Sequence, residues 1–438
     1  MAKPGYINRM QHLHSILIQY RILIYILSPA IAFVTLLMAI RSRDRRYFFE
    51  RLGFFKTSIS PNRIWFHAAS VGEVNGVLPL IHKMAERHPE QTFILTTGTP
   101  TGGAIAVKKL PPQAQHVYLP VDLPGAVNRF LRHSKARCAI IMETELWPNL
   151  YYACHKNNVP ISIINARLSE RTLKASAWMY KLYSETLSHV SKILARSEED
   201  ANGFMTIGAT SSKIKVIGNI KLAPFDISTV HVLPEITRPY VLAASTHEDE
   251  EYQLAKLWIE KFPGRLLVIA PRHPKRRDKI LKSISRITDK LAVRSLNQGI
   301  TEDTVIYLAD TLGELQSLYK GAEVVFMGGS LVPSGGHNIL EPARFGKPII
   351  FGPHMDNFKD ETKLLREHSA CIQVKSTDEL REKLSEILQQ DSLRERLSSN
   401  AANAVAHSSD IIERYISAIE RPYAKFFPED PFAQSSSD

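Results

Sequence analysis

The chain has 438 residues, of which 44% are hydrophobic and 23% are charged, as in an ordinary globular protein. Because that length exceeds what one hydrophobic core usually supports, we expect two domains plus an appendage. Lys and Arg number 55 against 44 Asp and Glu, a formal charge of +11, which favours an anionic partner: nucleic acid, acidic lipid or a phosphorylated substrate. The three cysteines (Cys138, Cys154 and Cys371) have no metal-ligand spacing, which argues against a disulfide scaffold or a cysteine metal site and indicates reduced thiols in the cytosol.

A long apolar segment near the amino terminus predicts membrane attachment. Residues 22–40 are nineteen positions without a charge, close to the ~20 needed to cross a bilayer. Several arginines follow between positions 41 and 51, so the positive-inside rule places the rest of the chain in the cytoplasm. No cleavage site stands out, which favours an uncleaved anchor comprising residues 1–46. Its length favours a spanning helix, while Pro29 leaves open a kinked helix that lies in the membrane interface.

From Arg63 onward, short apolar runs alternate with amphipathic stretches, which predicts α/β domains with parallel sheets. The predicted strands of the first set are 64–68, 92–96, 139–142, 161–164 and 192–195, and those of the second are 240–244, 266–270, 305–308, 324–327 and 349–351. A segment with three prolines and no periodicity separates the sets. We therefore predict a doubly wound domain at 47–221, a linker at 222–239, a second doubly wound domain at 240–410, and a helix with a disordered tail at 411–438.

Two glycine pairs follow the strand that ends near Met327, at 328–329 and at 335–336. Glycine lets backbone N–H groups approach a ligand and adopt positive φ, and a helix starting near Asn338 adds partial positive charge. Glu341, about one turn later, could accept hydrogen bonds from ribose hydroxyls. The loop is therefore interpreted as the phosphate cradle of a nucleotide-sugar site, the alternative being a strand-to-helix turn without a ligand.

Other candidate groups follow predicted strands of the first domain, at the sheet edge where open α/β sheets bind ligands. Glu73 is a candidate general base, and the alternative is that it caps a helix together with Ser70. Glu143 and Glu145 leave another strand, where the alternative is that 144–145 merely start the next helix. Arg167 follows the next strand and would bind an anionic substrate or pair with a neighbouring acid.

In the second domain, Arg272 ends a strand, and its guanidinium can bind two oxygens of a phosphate or carboxylate at once. Asp310 resembles an N-cap before a first helical turn whose free N–H groups could bind phosphate. The sequence contains no Asp-x-Asp triplet, no P-loop motif and no His-rich metal spacing. These absences favour a metal-independent transferase in which Arg, Lys and helix ends supply positive charge.

Taken in order, these motifs resemble the bacterial transferases of 3-deoxy-D-manno-octulosonic acid (Kdo) in lipopolysaccharide core synthesis. The resemblance runs from the membrane segment to about Phe358. Its motifs are His67–Glu73, Thr97–Gly102, Tyr118–Pro124, Glu143–Asn149, Asn165–Ser169, Ser245–Glu248, Pro271–Pro274, Asp310–Leu315, and Gly335–Asn338 with Glu341.

The resemblance implies a GT-B fold, in which the first Rossmann-like domain binds the acceptor and the second binds the CMP-sugar. It implies CMP-Kdo as donor and a lipid A precursor, lipid IVA, as acceptor. It also implies an inverting, metal-independent transfer without a cofactor, at the cytoplasmic face of the inner membrane, and no nucleic-acid partner.

The resemblance also assigns roles to residues. Glu73 matches the general base, and Glu143 and Lys221 match positions credited with stabilising the transition state. The implied CMP contacts are Pro271, Arg272, Leu312, Gly313, Glu314, Asn338, Ile339, Leu340 and Glu341. One departure concerns Lys221: the family often has Phe-Asp directly after this lysine, whereas here Leu222 and Ala223 intervene. Residues 1–13 also extend beyond the usual start.

Two other functions compete with this reading. One is a GT-B transferase that uses a UDP-sugar for another envelope lipid, and the other is a membrane-tethered protein that binds anionic lipid or nucleic acid. The basic residues are interleaved with acids and not stacked with aromatics, which argues against the second.

Overall fold

The computed structural model describes residues 4–56, 63–223, 230–233, 236–406 and 410–421, with backbone alone for 4–14, 170 and 171. These residues form two compact units. The first unit comprises Met1–Ala223 together with Asp410–Asp438, and the second comprises Pro224–Ser409.

The first unit is built on a parallel seven-stranded sheet. Its strands are β1 (Arg63–His67), β2 (Phe93–Thr97), β3 (Ala114–Tyr118), β4 (Ala136–Met142), β5 (Ile161–Ala166), β6 (Val190–Ala195) and β7 (Ile214–Val216). Its helices are α1 (Pro4–Ser42), α2 (Arg45–Arg51), α3 (Val71–Arg87), α4 (Pro100–Lys109), α5 (Pro124–Ser134), α6 (Pro148–Lys156), α7 (Glu170–Leu173), α8 (Ala177–Ser188) and α9 (Glu198–Thr206). The strand order is β3-β2-β1-β4-β5-β6-β7, so β2 and β3 lie on one side of β1 and the later strands lie on the other. The order in which strands are added therefore reverses between β1 and β4, which are themselves parallel.

The second unit repeats this architecture. Its strands are β8 (Tyr240–Thr246), β9 (Leu266–Pro271), β10 (Leu291–Val293), β11 (Ile306–Leu308), β12 (Val324–Met327), β13 (Ile349–Phe351) and β14 (Cys371–Gln373). Its helices are α10 (Glu250–Lys261), α11 (Arg277–Ile284), α12 (Leu315–Gly321), α13 (Leu340–Arg344), α14 (Lys359–Glu367), α15 (Thr377–Gln389) and α16 (Asp391–Ala406). The order β10-β11-β9-β8-β12-β13-β14 reverses between β8 and β12, so the predicted pair of doubly wound α/β sheets is confirmed.

Most residues of the inner strands are buried, and most of these residues are apolar. Every residue of β1, β2, β5 and β9 is buried, as expected for a parallel sheet covered by helices on both sides. The four edge strands β3, β7, β10 and β14 are partly exposed. These four strands are also the ones that the hydrophobic pattern failed to predict.

The last described helix, α17 (Ile411–Glu420), belongs to the first unit although it follows the second unit in sequence. Its apolar residues, including Tyr415 and Ile416, join the core beneath β1 and α3. Arg87 at the end of α3 bonds to Glu413 at 2.5 Å, and His88 Nε2 lies 2.8 Å from a carboxylate oxygen of Glu420. The predicted disordered tail lies outside the described residues.

The predicted apolar anchor forms part of α1. Ser15–Ser42 is long and apolar enough to cross a membrane, and Pro29 lies inside the helix.

Candidate active site

The predicted acids of the first unit follow the two strands at which its sheet reverses. Glu73 lies in the first turn of α3, after β1, and Glu143 directly follows β4. Ligands of open α/β sheets bind at the carboxyl ends of strands on either side of such a reversal. Burial raises the pKa of Glu73, and the nearby negative charge of Glu143 raises it further. The two predicted catalytic acids are therefore close neighbours.

Glu73 is 8% exposed, and its carboxylate is fixed by the start of its own helix. One oxygen accepts a hydrogen bond from the Ser70 hydroxyl at 2.8 Å, and the other accepts from the backbone N–H of Ala69 at 2.8 Å. Ser70 is the N-cap and accepts from the Glu73 N–H. The capping alternative is thus confirmed, and it leaves lone pairs on both carboxylate oxygens for a second partner.

Glu143 is held between two cations. Its Oε1 lies 2.7 Å from Lys221 Nζ, and its Oε2 lies 3.6 Å from Arg167 Nε. Its backbone adopts φ of +57°, while its N–H continues the sheet by donating to Ile164 O at 2.9 Å. The side chain is 15% exposed, and each of its two oxygens faces one cation at the carboxyl end of β4.

Lys221 reaches Glu143 despite the local departure from the family pattern, because long-range hydrogen bonds hold its loop. Ile220 N donates to Asn165 Oδ1 at 3.0 Å. The buried Tyr415 hydroxyl donates to Gly218 O at 2.8 Å and accepts from Asn165 N at 3.2 Å. Sequence reasoning missed this support, and the one available signal is that a buried tyrosine needs a partner for its hydroxyl.

Glu145 turns toward β1 and does not begin a helix. One oxygen accepts from Trp147 Nε1 at 2.8 Å and lies 3.7 Å from Nε2 of the fully buried His67. Burial works to raise the pKa of Glu145, but His67 and Trp147 outweigh it and hold that pKa below its usual range. Since α6 begins at Pro148, the alternative that 144–145 start the next helix is wrong.

In the second unit, the strands at the reversal bring two histidines together. His247 follows β8 and His337 lies in the loop after β12, with their Nε2 atoms 2.9 Å apart and their rings stacked. One imidazole must donate and the other accept. Burial, followed by the charges of His247 and Arg272, lowers the pKa of His337 to about 4, so it is neutral near pH 7. A Cβ at Gly328 would lie 2.6 Å from the Cα of Thr246, so only glycine fits beneath this pair.

The first glycine pair does not offer its amides to a phosphate. The fully buried carboxylate of Glu250 accepts hydrogen bonds from the backbone N–H groups of Gly329, Ser330 and Leu331, at 2.6, 3.1 and 3.0 Å. It also accepts from His247 N at 2.9 Å. The predicted phosphate cradle is therefore wrong for this half of the loop, where a carboxylate of the chain itself takes the place of an anion. Nothing in the acidic run at 248–251 indicates which residue does this.

The exposed donor-site candidates are a cation and a short turn. Pro271 ends β9 beside Thr246, and Arg272 follows with its N–H donating to Thr246 O at 3.0 Å. The Arg272 side chain is exposed and makes no hydrogen bond or ion pair with other residues that the structure describes. Leu312 is 82% exposed, and Gly313 has φ of +93° with open space around it.

Asp310 is not a helix cap. It accepts hydrogen bonds from the backbone and hydroxyl of Ser295, at 2.9 and 2.5 Å. The cap position of α12 is Glu314, whose carboxylate is paired with the Arg294 guanidinium at 2.8 and 3.2 Å. This pairing lowers the pKa of Glu314. The predicted N-cap at Asp310 is therefore wrong. Nucleotide binding by the turn from Leu312 to Glu314 stays a prediction.

The remaining candidates lie at the start of α13. The side chains of Ile339 and Leu340 are buried in the core, so these residues can offer a ligand only their backbone. Asn338 Oδ1 accepts from Leu340 N at 3.1 Å, and Asn338 Nδ2 donates to Glu341 Oε1 at 3.3 Å. Asn338 thereby satisfies the first N–H of this short helix and orients Glu341. Within the described ranges, no group of three or more His, Cys, Asp or Glu side chains could hold a metal ion.

Comparison with known proteins identifies the family. The profile of the 3-deoxy-D-manno-octulosonic-acid transferases (kdotransferase) matches residues 46–224, and that of glycosyl transferases group 1 matches residues 261–404. The 3-deoxy-D-manno-octulosonic acid transferase of Haemophilus influenzae is 34% identical over 425 residues, which cover 92% of this chain and 98% of the relative. The chain belongs to the Kdo transferases.

Other relatives agree with this family and with its fold. The Kdo transferase of Bordetella pertussis is 30% identical, over 82% of this chain and 86% of its own. A crystal structure of a glycosyltransferase from Rickettsia africae matches with a TM-score of 0.54 at 15% identity, over 83% of this chain and 99% of that one. The last match concerns the fold alone. The resemblance drawn from the sequence motifs is confirmed, as are the GT-B architecture and the glycosyltransferase class.

Proposed function

We propose that this transferase moves Kdo from CMP-Kdo to a lipid A precursor, lipid IVA, with inversion and without a metal ion. The observation that supports it most is the charge arrangement at β1 and β4. A buried carboxylate with a raised pKa, Glu73, lies beside Glu143, which holds Lys221 and Arg167. We place the reaction at the cytoplasmic face of the inner membrane, which agrees with one apolar helix followed by several arginines.

Glu73 acts as the general base. It takes the proton from an acceptor hydroxyl as that oxygen attacks the anomeric carbon of Kdo, and CMP leaves from the opposite face, which inverts the configuration. General bases work best when their pKa approaches the operating pH, and the raised pKa of Glu73 moves in that direction. The hydrogen bonds from Ser70 and Ala69 fix the carboxylate before substrate binds.

Lys221 and Arg167 supply positive charge beside this base. Kdo carries a carboxylate, and its transfer releases an anionic nucleotide, so fixed cations lower the free energy of the transition state. Glu143 holds both cations in place through its two oxygens. Its contribution is to position Lys221 and Arg167 without leaving an unpaired charge at the sheet edge.

We assign donor binding to the second unit. Arg272, exposed and without a partner among the described residues, suits the phosphate of CMP. Glu341, oriented by Asn338, suits the ribose hydroxyls. Backbone groups of Leu312 and Gly313 remain accessible to the nucleotide.

Product analysis tests this proposal directly. The full chain is incubated with CMP-Kdo and lipid IVA, with and without a chelator, and the lipid products are weighed by mass spectrometry. We expect Kdo-bearing lipid in both reactions. Thermal unfolding with CMP and with UDP then tests the donor: stabilisation by UDP alone would favour the UDP-sugar alternative and reject CMP-Kdo.

Glu73→Gln tests the base. Loss of a general base lowers rates by roughly 10²–10⁴-fold, so we expect transfer to fall by that factor while CMP stabilises the variant as it does the parent. Glu86→Gln changes an exposed acid on the same helix and should leave transfer unchanged. Full activity in Glu73→Gln would assign the base to another group.

A further inference from the structure

One face of α1 exposes large hydrophobic side chains along most of its length. Those exposed by 43–70% include Ile18, Ile22, Ile26, Phe33, Leu37 and Ile40. Spacings of three, four and seven residues put them on one side of the helix. A monomeric soluble protein rarely exposes so continuous an apolar surface, so this face requires a partner.

The opposite face of α1 lies on the first unit. Its buried or partly buried residues include Leu17, Ile24, Ser28, Thr35 and Ala39, which recur at intervals of seven and four. Leu17, Thr35 and Ala39 are only 4–6% exposed. The helix contacts α4, α6 and α8 of the same unit. Residues on this stripe are buried at both ends of the apolar stretch and partly exposed between them. A helix that projected away from its domain would be covered at one end at most.

Polar contacts fasten the amino-terminal half of this stripe. The Tyr20 hydroxyl donates to Asp122 at 2.9 Å, and Arg21 Nε donates to Asn149 Oδ1 at 2.9 Å. Asp122 is buried and also accepts from the backbone N–H of Asn149 at 3.0 Å, at the start of α6. These bonds join the helix to the fixed framework of the sheet.

The carboxyl-terminal half is fastened by packing. Ala39 is buried against Tyr47 of α2 and Tyr118 of β3, and Met38 packs beside them. The Tyr47 and Tyr118 rings meet edge to face with centroids 4.9 Å apart. Both ends of the apolar stretch therefore contact the same globular unit.

These two attachments decide the orientation of the helix. Tyr20 and Ala39 are nineteen residues apart, about 28 Å at ~1.5 Å per residue, close to the ~30 Å hydrocarbon thickness of a bilayer. A spanning helix would put Tyr20 and Ala39 on opposite sides of the membrane. One unit with a hydrated surface cannot contact both residues unless the helix lies parallel to the membrane.

We propose that α1 lies flat on an anionic phospholipid surface, with its exposed apolar face in the lipid and its covered face bound to the first unit. Exposed Arg41, Arg43 and Arg45 follow the apolar face and match acidic headgroups. The arginines favour lipid over a second copy of the chain as the occupant. A flat α1 replaces the spanning helix that the length of the apolar segment favoured. The proposal rests on the proposed function only for the presence of a membrane.

The sidedness of two engineered cysteines tests the orientation. Ser15→Cys and Ser42→Cys lie at exposed positions at the two ends of the helix. An impermeant maleimide is applied to inverted inner-membrane vesicles and to intact spheroplasts, with the parent chain correcting for its native cysteines. A flat helix gives labelling of both positions in inverted vesicles and of neither in spheroplasts. Labelling of Ser15→Cys from the spheroplast exterior would overturn the proposal.

Vesicle binding tests the lipid face. Ile26→Glu with Phe33→Glu should weaken sedimentation with vesicles rich in phosphatidylglycerol at least tenfold, without changing thermal unfolding. Met205→Glu with Leu296→Glu makes the same charge change at exposed hydrophobic positions off the helix and should bind like the parent. If the helix variant binds vesicles normally but converts a dimer to a monomer in analytical ultracentrifugation, the occupant is a second copy and the lipid proposal fails. None of these readouts measures transfer, so they fail separately from the proposed reaction.

Discussion

Tyr415→Phe removes one hydroxyl that joins the carboxyl end of β5 to the Lys221 loop. The hydroxyl donates to Gly218 O and accepts from the N–H of Asn165, which is 1% exposed. An unpaired buried amide costs about 1–3 kcal/mol. A loss of about 2 kcal/mol in the free energy of unfolding should lower Tm by ~4–8 °C for a unit of this size.

The same change should slow catalysis. Asn165 also holds the Lys221 loop through Ile220 N, so loosening this contact lets Lys221 move relative to Glu143. If transition-state stabilisation falls by ~1.4 kcal/mol, kcat falls about tenfold. The assay is mass-detected Kdo transfer at 25 °C, well below either Tm, with the folded fraction checked by circular dichroism.

Tyr240→Phe is the matched control. Tyr240 is buried at the start of β8, and its hydroxyl donates to Leu318 O at 2.7 Å, on the second unit and at the amino end of its strand. It should lose stability in the same way but keep kcat. If the two variants show equal kcat per folded molecule, Tyr415 supports the fold alone and the reasoning about the Lys221 loop is refuted.

Three further predictions follow from the contacts at the two sites. Glu143→Gln removes a negative charge that raises the pKa of Glu73. The acidic limb of the kcat/KM–pH profile, measured on the residual transfer activity, should therefore move to lower pH. If the limb stays at the same pH, it does not report the titration of Glu73. Glu250→Gln turns an amide nitrogen toward backbone N–H donors and should lower the free energy of unfolding by about 3 kcal/mol or more, as measured by chemical denaturation. Glu248→Gln, at an exposed position, should leave that free energy unchanged. If the two variants are equally stable, the Glu250 hydrogen-bond network does not contribute as described. Arg272→Ala should weaken CMP binding about ten- to hundredfold in calorimetry with little change in Tm, and an unchanged Kd would move the phosphate elsewhere.

The inner strands were predictable from sequence and the edge strands were not, for one physical reason. A parallel strand between two neighbours is mostly buried on both faces and is therefore mostly apolar, and 324–327 and 349–351 are apolar throughout. An edge strand has solvent on one side and needs fewer apolar residues. The β7 sequence Ile-Lys-Val has no buried residue, and neither does that of β14, so their hydrophobic pattern does not distinguish them from loops.

In the candidate site, sequence reasoning succeeded where the contact is local. The Ser70 and Glu73 spacing predicts the observed cap directly. The pairing of Glu143 with Lys221 joins residues 78 positions apart, and no short motif specifies it. The same limit explains the misread glycine loop, because Glu250 is about 80 residues away from the amides that it binds.

The return of α17 to the first unit fixes the order in which a nascent chain can be completed. The second unit is continuous from 224 to 409, so all of its strands and helices are synthesised before the last helix of the first unit. Until then Asn165 and Gly218 lack the tyrosine that joins them, and the hydrophobic surface beside α3 stays open. The first unit is therefore translated first but completed last. A stop codon shortly before residue 411 would leave both sheets complete but would remove the tyrosine that supports the loop of Lys221 beside Glu143.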